Sequence, residues 1–282
     1  MSKSKKNRPQ PCPADRIPGL VDAHTHLASC GGWEPETAAG FVDRAADAGV
    51  EKICTVGDGL DECAAAVAVA RDNPRVYAAV AIHPTRAAEL SQETKTRLAA
   101  LAADPRVVAI GETGLDTYWI GKSDSCAPLD MQEAALRWHI DLAVETGKAL
   151  MIHNREADAD LLRILADAPQ PKEVMLHCFS SPVEVAREAI DRGYVLSFTG
   201  NVTFKNNGHL RQAAALAPAG QLLVETDAPY MTPEPFRGRK NEPSLIGHTY
   251  LCIAEARGMR VADLADEVGA TFDRVFGLAE PA

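Results

Sequence analysis

The sequence predicts an α/β fold, a single (β/α)8 TIM barrel. Short apolar, β-rich runs alternate with longer Ala-, Leu- and Glu-rich stretches of helical spacing, the pattern of βα units around a parallel sheet. Eight such strands can be counted, which favours a closed barrel over an open doubly wound sheet. Nearly all the side chains able to ligate a metal fall at the carboxyl ends of those strands, the end that carries the active site in barrels.

The expected strands are Gly19–Ala23, Lys52–Val56, Val76–Ile82, Val107–Gly111, Ala149–Ile152, Glu173–Leu176, Tyr194–Phe198 and Leu222–Glu225. Between them lie expected helices at Pro35–Ala48, Leu60–Asp72, Ser91–Ala103, Asp130–Glu145, Ala157–Ala168, Val183–Asp191 and His209–Leu216. Two more, Leu245–Ala256 and Val261–Phe276, follow the last strand. Hydrophobic residues make up 46% and charged residues 24% of the 282, enough apolar surface for one large core. No composition break or linker divides the series, so residues 17–282 read as one domain. Residues 1–16 are Pro-rich and basic, lack the apolar run of a signal peptide, and read as a flexible tail.

A net charge of −10 and a pI near 5.3 repel polyanions over the whole surface. A nucleic-acid substrate would have to be captured locally, by metals and a few basic side chains. No run of about 18 apolar residues occurs, which argues against a membrane span. Seven scattered cysteines without a CxxC pair suggest neither a disulfide framework nor a zinc knuckle, and fit a reducing cytoplasm. No obligate protein partner is evident.

Chemistry concentrates at the strand ends. His24 and His26 follow the first strand two residues apart, so side-chain alternation points both the same way and lets them share one metal. His83 follows the third strand, Glu112 the fourth, His153 the fifth, His177 the sixth and Asp227 the eighth. Any one of these histidines could be a satisfied core residue, but His24, His26, His153 and His177 together at strand ends point to a metal site. Glu112 lies between glycines that permit close backbone approach, so its carboxylate can bridge two cations. Asp227 can bind one metal and accept a proton from an attacking water, a turn or N-cap aspartate being the plain alternative. Asp22 faces the same side as His24, either supporting it or serving as an ordinary buried aspartate. Arg237, Arg239 and Lys240 form a loop that either binds phosphate or is simply solvated. His139, His209 and His248 read as structural or exposed, and Cys178 as a small barrel residue.

These motifs resemble those of the TatD family of metal-dependent hydrolases, best known as deoxyribonucleases, from about Leu20 to Gly277. The resemblance is carried by AHTHL at 23–27, AIHP at 81–84, GETGLD at 111–116, IHNRE at 152–156, LHCFSS at 176–181, ETDAPY at 225–230 and RGRKNEP at 237–243. It implies that His24, His26 and Asp227 hold one metal, His153 and His177 a second, with Glu112 as the bridge and His83 facing the substrate. Thr85 stands where many members have a second histidine, and Ala81 where glycine is common. The stretch Thr117–Leu129 aligns with a substrate-side loop whose residues have no assigned roles.

The implied activity is phosphodiester hydrolysis of nucleic acid, as a 3′-to-5′ exonuclease on single-stranded or frayed DNA. Asp227 and Glu112 would be catalytic, with His83, Arg237, Arg239 and Lys240 binding the substrate. Four imidazoles with carboxylates suit zinc, manganese or iron(II), whereas magnesium, which the resemblance also implies, prefers oxygen. A binuclear amidohydrolase is the rival, although Glu112 stands where a lysine available for carboxylation would favour it. Deacylation of misacylated transfer RNA and a non-catalytic metal-binding scaffold are the other readings.

Overall fold

Eight parallel strands pair in sequence order around one sheet in the computed structural model, which describes residues 8–279. They are β1 Leu20–Thr25, β2 Val50–Gly57, β3 Val76–Val80, β4 Val107–Asp116, β5 Ala149–Arg155, β6 Val174–Leu176, β7 Val195–Phe198 and β8 Leu222–Val224. Helices α1 Leu27–Cys30, α2 Pro35–Asp47, α3 Leu60–Asp72, α4 Gln92–Ala102, α5 Leu129–Thr146, α6 Asp158–Asp167, α7 Val183–Asp191 and α8 Gly208–Leu216 alternate with them. Two further helices, α9 Gly247–Arg257 and α10 Val261–Val275, follow β8. This is the expected (β/α)8 barrel. Strands such as β1 and β4 are buried at every residue because helices cover the outer face while side chains fill the interior. Among the described residues, no helix is long and apolar enough to cross a membrane.

Four strands run further than expected at their carboxyl ends, β1 to Thr25, β2 to Gly57, β4 to Asp116 and β5 to Arg155, the last two by the most. Beyond a register shift at Ile110/Thr113, β4 pairs with β5 again, from Thr113 opposite Ile152 to Asp116 opposite Arg155. Glu112 and His153 therefore sit inside paired strands rather than after them. The flanking glycines serve this pairing: a Cβ on Gly114, whose φ is +145°, would lie 2.0 Å from the His153 carbonyl oxygen. One on Gly111 would lie 2.4 Å from the Met151 Cβ. The close approach expected at these positions is to the neighbouring strand.

The barrel is closed between β1 and β8 largely by residues of the motifs themselves. The Asp227 amide donates to the His24 carbonyl and the His26 amide to that of Ala228, each at 2.9 Å. Asp22, fully buried, accepts from the Thr226 amide at 2.9 Å and the Thr226 hydroxyl at 2.6 Å. Its link to His24 is to the backbone amide, 3.4 Å away, so it ties strands together and does not hold the imidazole.

Residues 8–16 have no regular structure, yet they are tied down rather than free as the expected tail would be. Arg8 donates to the Arg237 carbonyl, Arg239 donates to the Arg8 carbonyl at 2.7 Å, and His248 Nε2 meets the Cys12 carbonyl at 2.9 Å. Residues 1–7 of that expected tail lie outside the described residues.

Burial pushes the Asp22 carboxyl up from 3.8 to about 8. Between those values the folded chain keeps a proton that the unfolded chain has released, so this group makes wild type lose stability as pH rises through that window. Asp22→Asn keeps the shape and should abolish that component at a cost below ~1 kcal/mol, whereas Asp22→Ala strands the Thr226 amide and should cost ~2–3 kcal/mol. Urea unfolding across pH checks this. Equal losses for the two variants would contradict it.

Candidate metal centre

Side-chain alternation along β1 and its exit brings the His24 and His26 rings together, with their Nε2 atoms 3.0 Å apart. The other nitrogen of each ring is occupied. His24 Nδ1 lies 3.1 Å from Met151 Sδ, and His26 Nδ1 lies 3.3 Å from the Val56 carbonyl, to which it can donate. With the protons so placed, both Nε2 atoms present lone pairs to the same buried space. Asp227 Oδ1 stands 3.7 Å from one and 3.4 Å from the other.

Glu112 joins this group to a second. Its Oε1 is 3.8 Å from His24 Nε2 and 3.4 Å from His26 Nε2, while its Oε2 is 2.7 Å from His177 Nε2 and 3.1 Å from His153 Nδ1. The His24 and His177 rings stack, with centroids 3.9 Å apart. The structure thus brings together His24, His26, Glu112, His153, His177 and Asp227. His83 joins them, its ring 4.5 Å from that of His153.

Among the described residues, three sets of possible ligand atoms lie within 4.8 Å of one another: His24, His26 and Glu112; His24, His177 and Asp227; and His83, Glu112 and His153. The first set fits the expected grouping. The other two overlap it, since His24 also faces His177 and His83 stands beside the second pair.

These residues fit a cation. His177 Nδ1 lies 3.2 Å from Glu225 Oε1 and can donate to it, which leaves a lone pair on Nε2 facing Glu112. His177 Nε2 is buried without a hydrogen bond, as is Asp58 Oδ1. Electron-rich atoms this close, away from water, call for a positive charge between them. The field agrees. Burial opposes charge on His26 and His177, yet nearby carboxylates outweigh it and hold both rings well above the ordinary imidazole value. Burial likewise opposes charge on Glu112, but His177 and His153 keep it well below the ordinary carboxylate value.

Backbone geometry aims two of these side chains. Asp227 and Cys178, the residue after His177, have φ of 50° and 44°, the left-handed region that costs non-glycine residues roughly 1–3 kcal/mol. The Asp227 conformation is held by its bond to His24 and by a turn in which the Tyr230 amide donates to its carbonyl at 2.8 Å. Aspartate as turn residue and as site residue coexist here. Burial pushes the Cys178 thiol well above its usual range, in keeping with a small barrel residue.

His83 Nδ1 accepts from the Thr85 amide at 3.2 Å and lies 2.7 Å from the Thr85 hydroxyl. Its proton therefore sits on Nε2. Burial, reinforced by His153, pushes its pKa down to about 3, so it is a neutral donor. Thr85, the departure from the family pattern, supplies this arrangement. Arg237, Arg239 and Lys240 are exposed, outside the buried cluster: Arg237 lies over the Phe204 ring at 4.1 Å and Arg239 is bonded to Arg8.

Sequence reasoning missed three carboxylates. Asp58, directly after β2, lies 3.4 Å from His26 Nδ1, and Asp116 Oδ2 lies 3.1 Å from His153 Nε2. Glu225 accepts from the Cys178 amide at 2.7 Å and the Ser197 hydroxyl at 2.6 Å as well as facing His177. Asp58 carried the same signal as the others, an acidic residue at a strand's carboxyl end.

Residues 21–277 match the family model described as TatD related DNase. A relative from Mycobacterium tuberculosis, an uncharacterised metal-dependent hydrolase TatD, is 48% identical over 92% of this chain and 98% of its own. One from Enterobacter lignolyticus, named a 3′-5′ ssDNA/RNA exonuclease TatD, is 33% identical over 84% of this chain and 92% of its own. The crystal structure of YjjV, a TatD homologue from Escherichia coli, superposes with a TM-score of 0.83 at 25% identity, covering 93% of this chain and 99% of that one.

Glu225 orients His177, so Glu225→Gln should weaken zinc or manganese binding by about 10–100-fold while the barrel stays folded. Competition against a chromophoric chelator measures this. Unchanged affinity would make Glu225 a core residue only.

Proposed function

We propose that this chain, which belongs to the TatD family of metal-dependent hydrolases, cleaves phosphodiester bonds of nucleic acid as a 3′-to-5′ exonuclease on single strands or frayed ends. The observation that carries this reading is the Glu112 carboxylate, one oxygen facing His24 and His26 and the other facing His153 and His177. Such a layout suits two cations flanking a phosphodiester. The Enterobacter lignolyticus relative's name supports the choice of nucleic acid and of polarity.

In this reading His24, His26 and Asp227 would hold one divalent ion and His153 and His177 another, with Glu112 placed to serve both. Divalent ions there supply Lewis acidity, lowering the pKa of water towards ~7 and neutralising charge on phosphate oxygens. Asp227 turns Oδ1 to the histidines and keeps Oδ2 to receive the proton of the attacking water. The neutral His83 donates its Nε2 proton to a phosphate oxygen, and Arg237, Arg239 and Lys240 act, if at all, on more distant phosphates. The substrate is bound transiently.

Asp227→Asn keeps one ligating oxygen but loses nearly all basicity, so turnover on single-stranded DNA should fall by more than ~10²-fold and excess metal should not restore it. Circular dichroism with a metal titration of activity checks this; full rescue would make Asp227 a ligand only. Glu112→Gln should lower bound zinc or manganese at both positions, seen by elemental analysis after desalting, and retention of both ions would remove the bridge. A substrate panel of single-stranded DNA, RNA, aminoacyl-tRNA and small amides separates the nuclease from the deacylase and amidohydrolase readings.

A further inference from the structure

We propose that the loop after β4 is a nucleobase-stacking platform, with Trp119 as its open face and Arg155 as the clamp for the adjoining phosphate. The proposal rests on the nuclease reading and names how such a substrate is held. Trp119 and Ile120 are consecutive, large, apolar and 39% and 36% exposed.

The platform is fixed to the metal cluster by one carboxylate. Asp116 Oδ1 accepts from the Trp119 amide at 3.1 Å, while Asp116 Oδ2 lies 3.1 Å from His153 Nε2. Tyr118 backs the indole edge-on, with centroids 5.1 Å apart. The Thr117 amide donates to the Arg155 carbonyl at 3.1 Å, which pins the start of the loop to the end of β5.

Cations surround these rings. The Arg155 guanidinium lies 3.9 Å from the Tyr118 centroid and 5.6 Å from that of Trp119, and Lys122 Nζ lies 3.5 Å from Tyr118. Tyr118 is thus covered, and Trp119 is the ring left open. Arg155 follows His153 by two residues on β5, so both side chains leave the same face of the strand. Its guanidinium rests on these rings but makes no hydrogen bond or ion pair to any described residue, so its N–H groups are available to a phosphate. In a chain of net charge −10, an exposed indole beside a guanidinium with unpaired N–H groups suits one occupant, a single-stranded nucleic acid. Any base can stack on the indole, which gives no sequence preference. A base still paired inside a duplex cannot reach it.

The test uses full-length protein as purified and a 5′-fluorescein decathymidylate with cleavage-resistant phosphorothioate linkages, followed by anisotropy over a salt series. A matched oligomer carries abasic residues at its 3′ end. Trp119→Ala should weaken binding of the intact oligomer about tenfold, and Trp119→Phe should restore most of it. For the abasic oligomer, wild type and Trp119→Ala should bind alike, which a merely structural role for Trp119 would not produce. Arg155→Ala should flatten the slope of log K against log salt by about 0.7, while Trp119→Ala leaves the slope unchanged. Wild-type and Trp119→Ala affinities that are equal for the intact oligomer, or that drop equally for both oligomers, overturn the platform and leave the nuclease reading standing. Failure of wild type to bind either oligomer overturns both.

Discussion

A single carboxylate, that of Glu112, has to satisfy two groups of imidazoles at once, and the surrounding structure is built to hold it there. Oε1 faces His24 and His26 and Oε2 faces His153 and His177. The carboxylate is buried, so nothing but these rings and whatever charge lies between them offsets its desolvation. Outside the cluster, Asp116 and Glu225 fix the far nitrogens of His153 and His177, and Gly111 and Gly114 let β4 lie close enough to β5 to set the spacing.

The same residues that build the site also close the barrel. His24 and Asp227 exchange a backbone bond across the β1–β8 seam, and Asp22 fastens Thr226 beside them. Closing the barrel thus brings Asp227 to His24 and His26, so the site on that side forms only when the sheet closes.

Much of this was legible in the sequence because it depends on strand periodicity. The alternation Asp22, His24, His26 places three side chains on one face, and apolar runs ending in His or an acid mark the carboxyl ends of strands. What escaped depends on spatial neighbours. The five additional residues of β4 exist because β5 lies opposite them, a pairing that the chain around 112–116 cannot announce by itself. Asp116 and Glu225 act on histidines 37 and 48 residues away in the chain. The basic stretch at 237–240 stood out by composition, whereas Arg155, a single basic residue in the chain, is placed beside the Tyr118–Trp119 pair only by the pairing of β4 with β5.

Glu112 is expected to lie between two cation positions. Crystals grown with manganese and measured by anomalous scattering test it most directly. Two peaks about 3.5–4 Å apart, one beside His24, His26 and Asp227 and the other beside His153 and His177, with the Glu112 carboxylate between them, are expected. A single peak, or a second one that Glu112 does not touch, would contradict it.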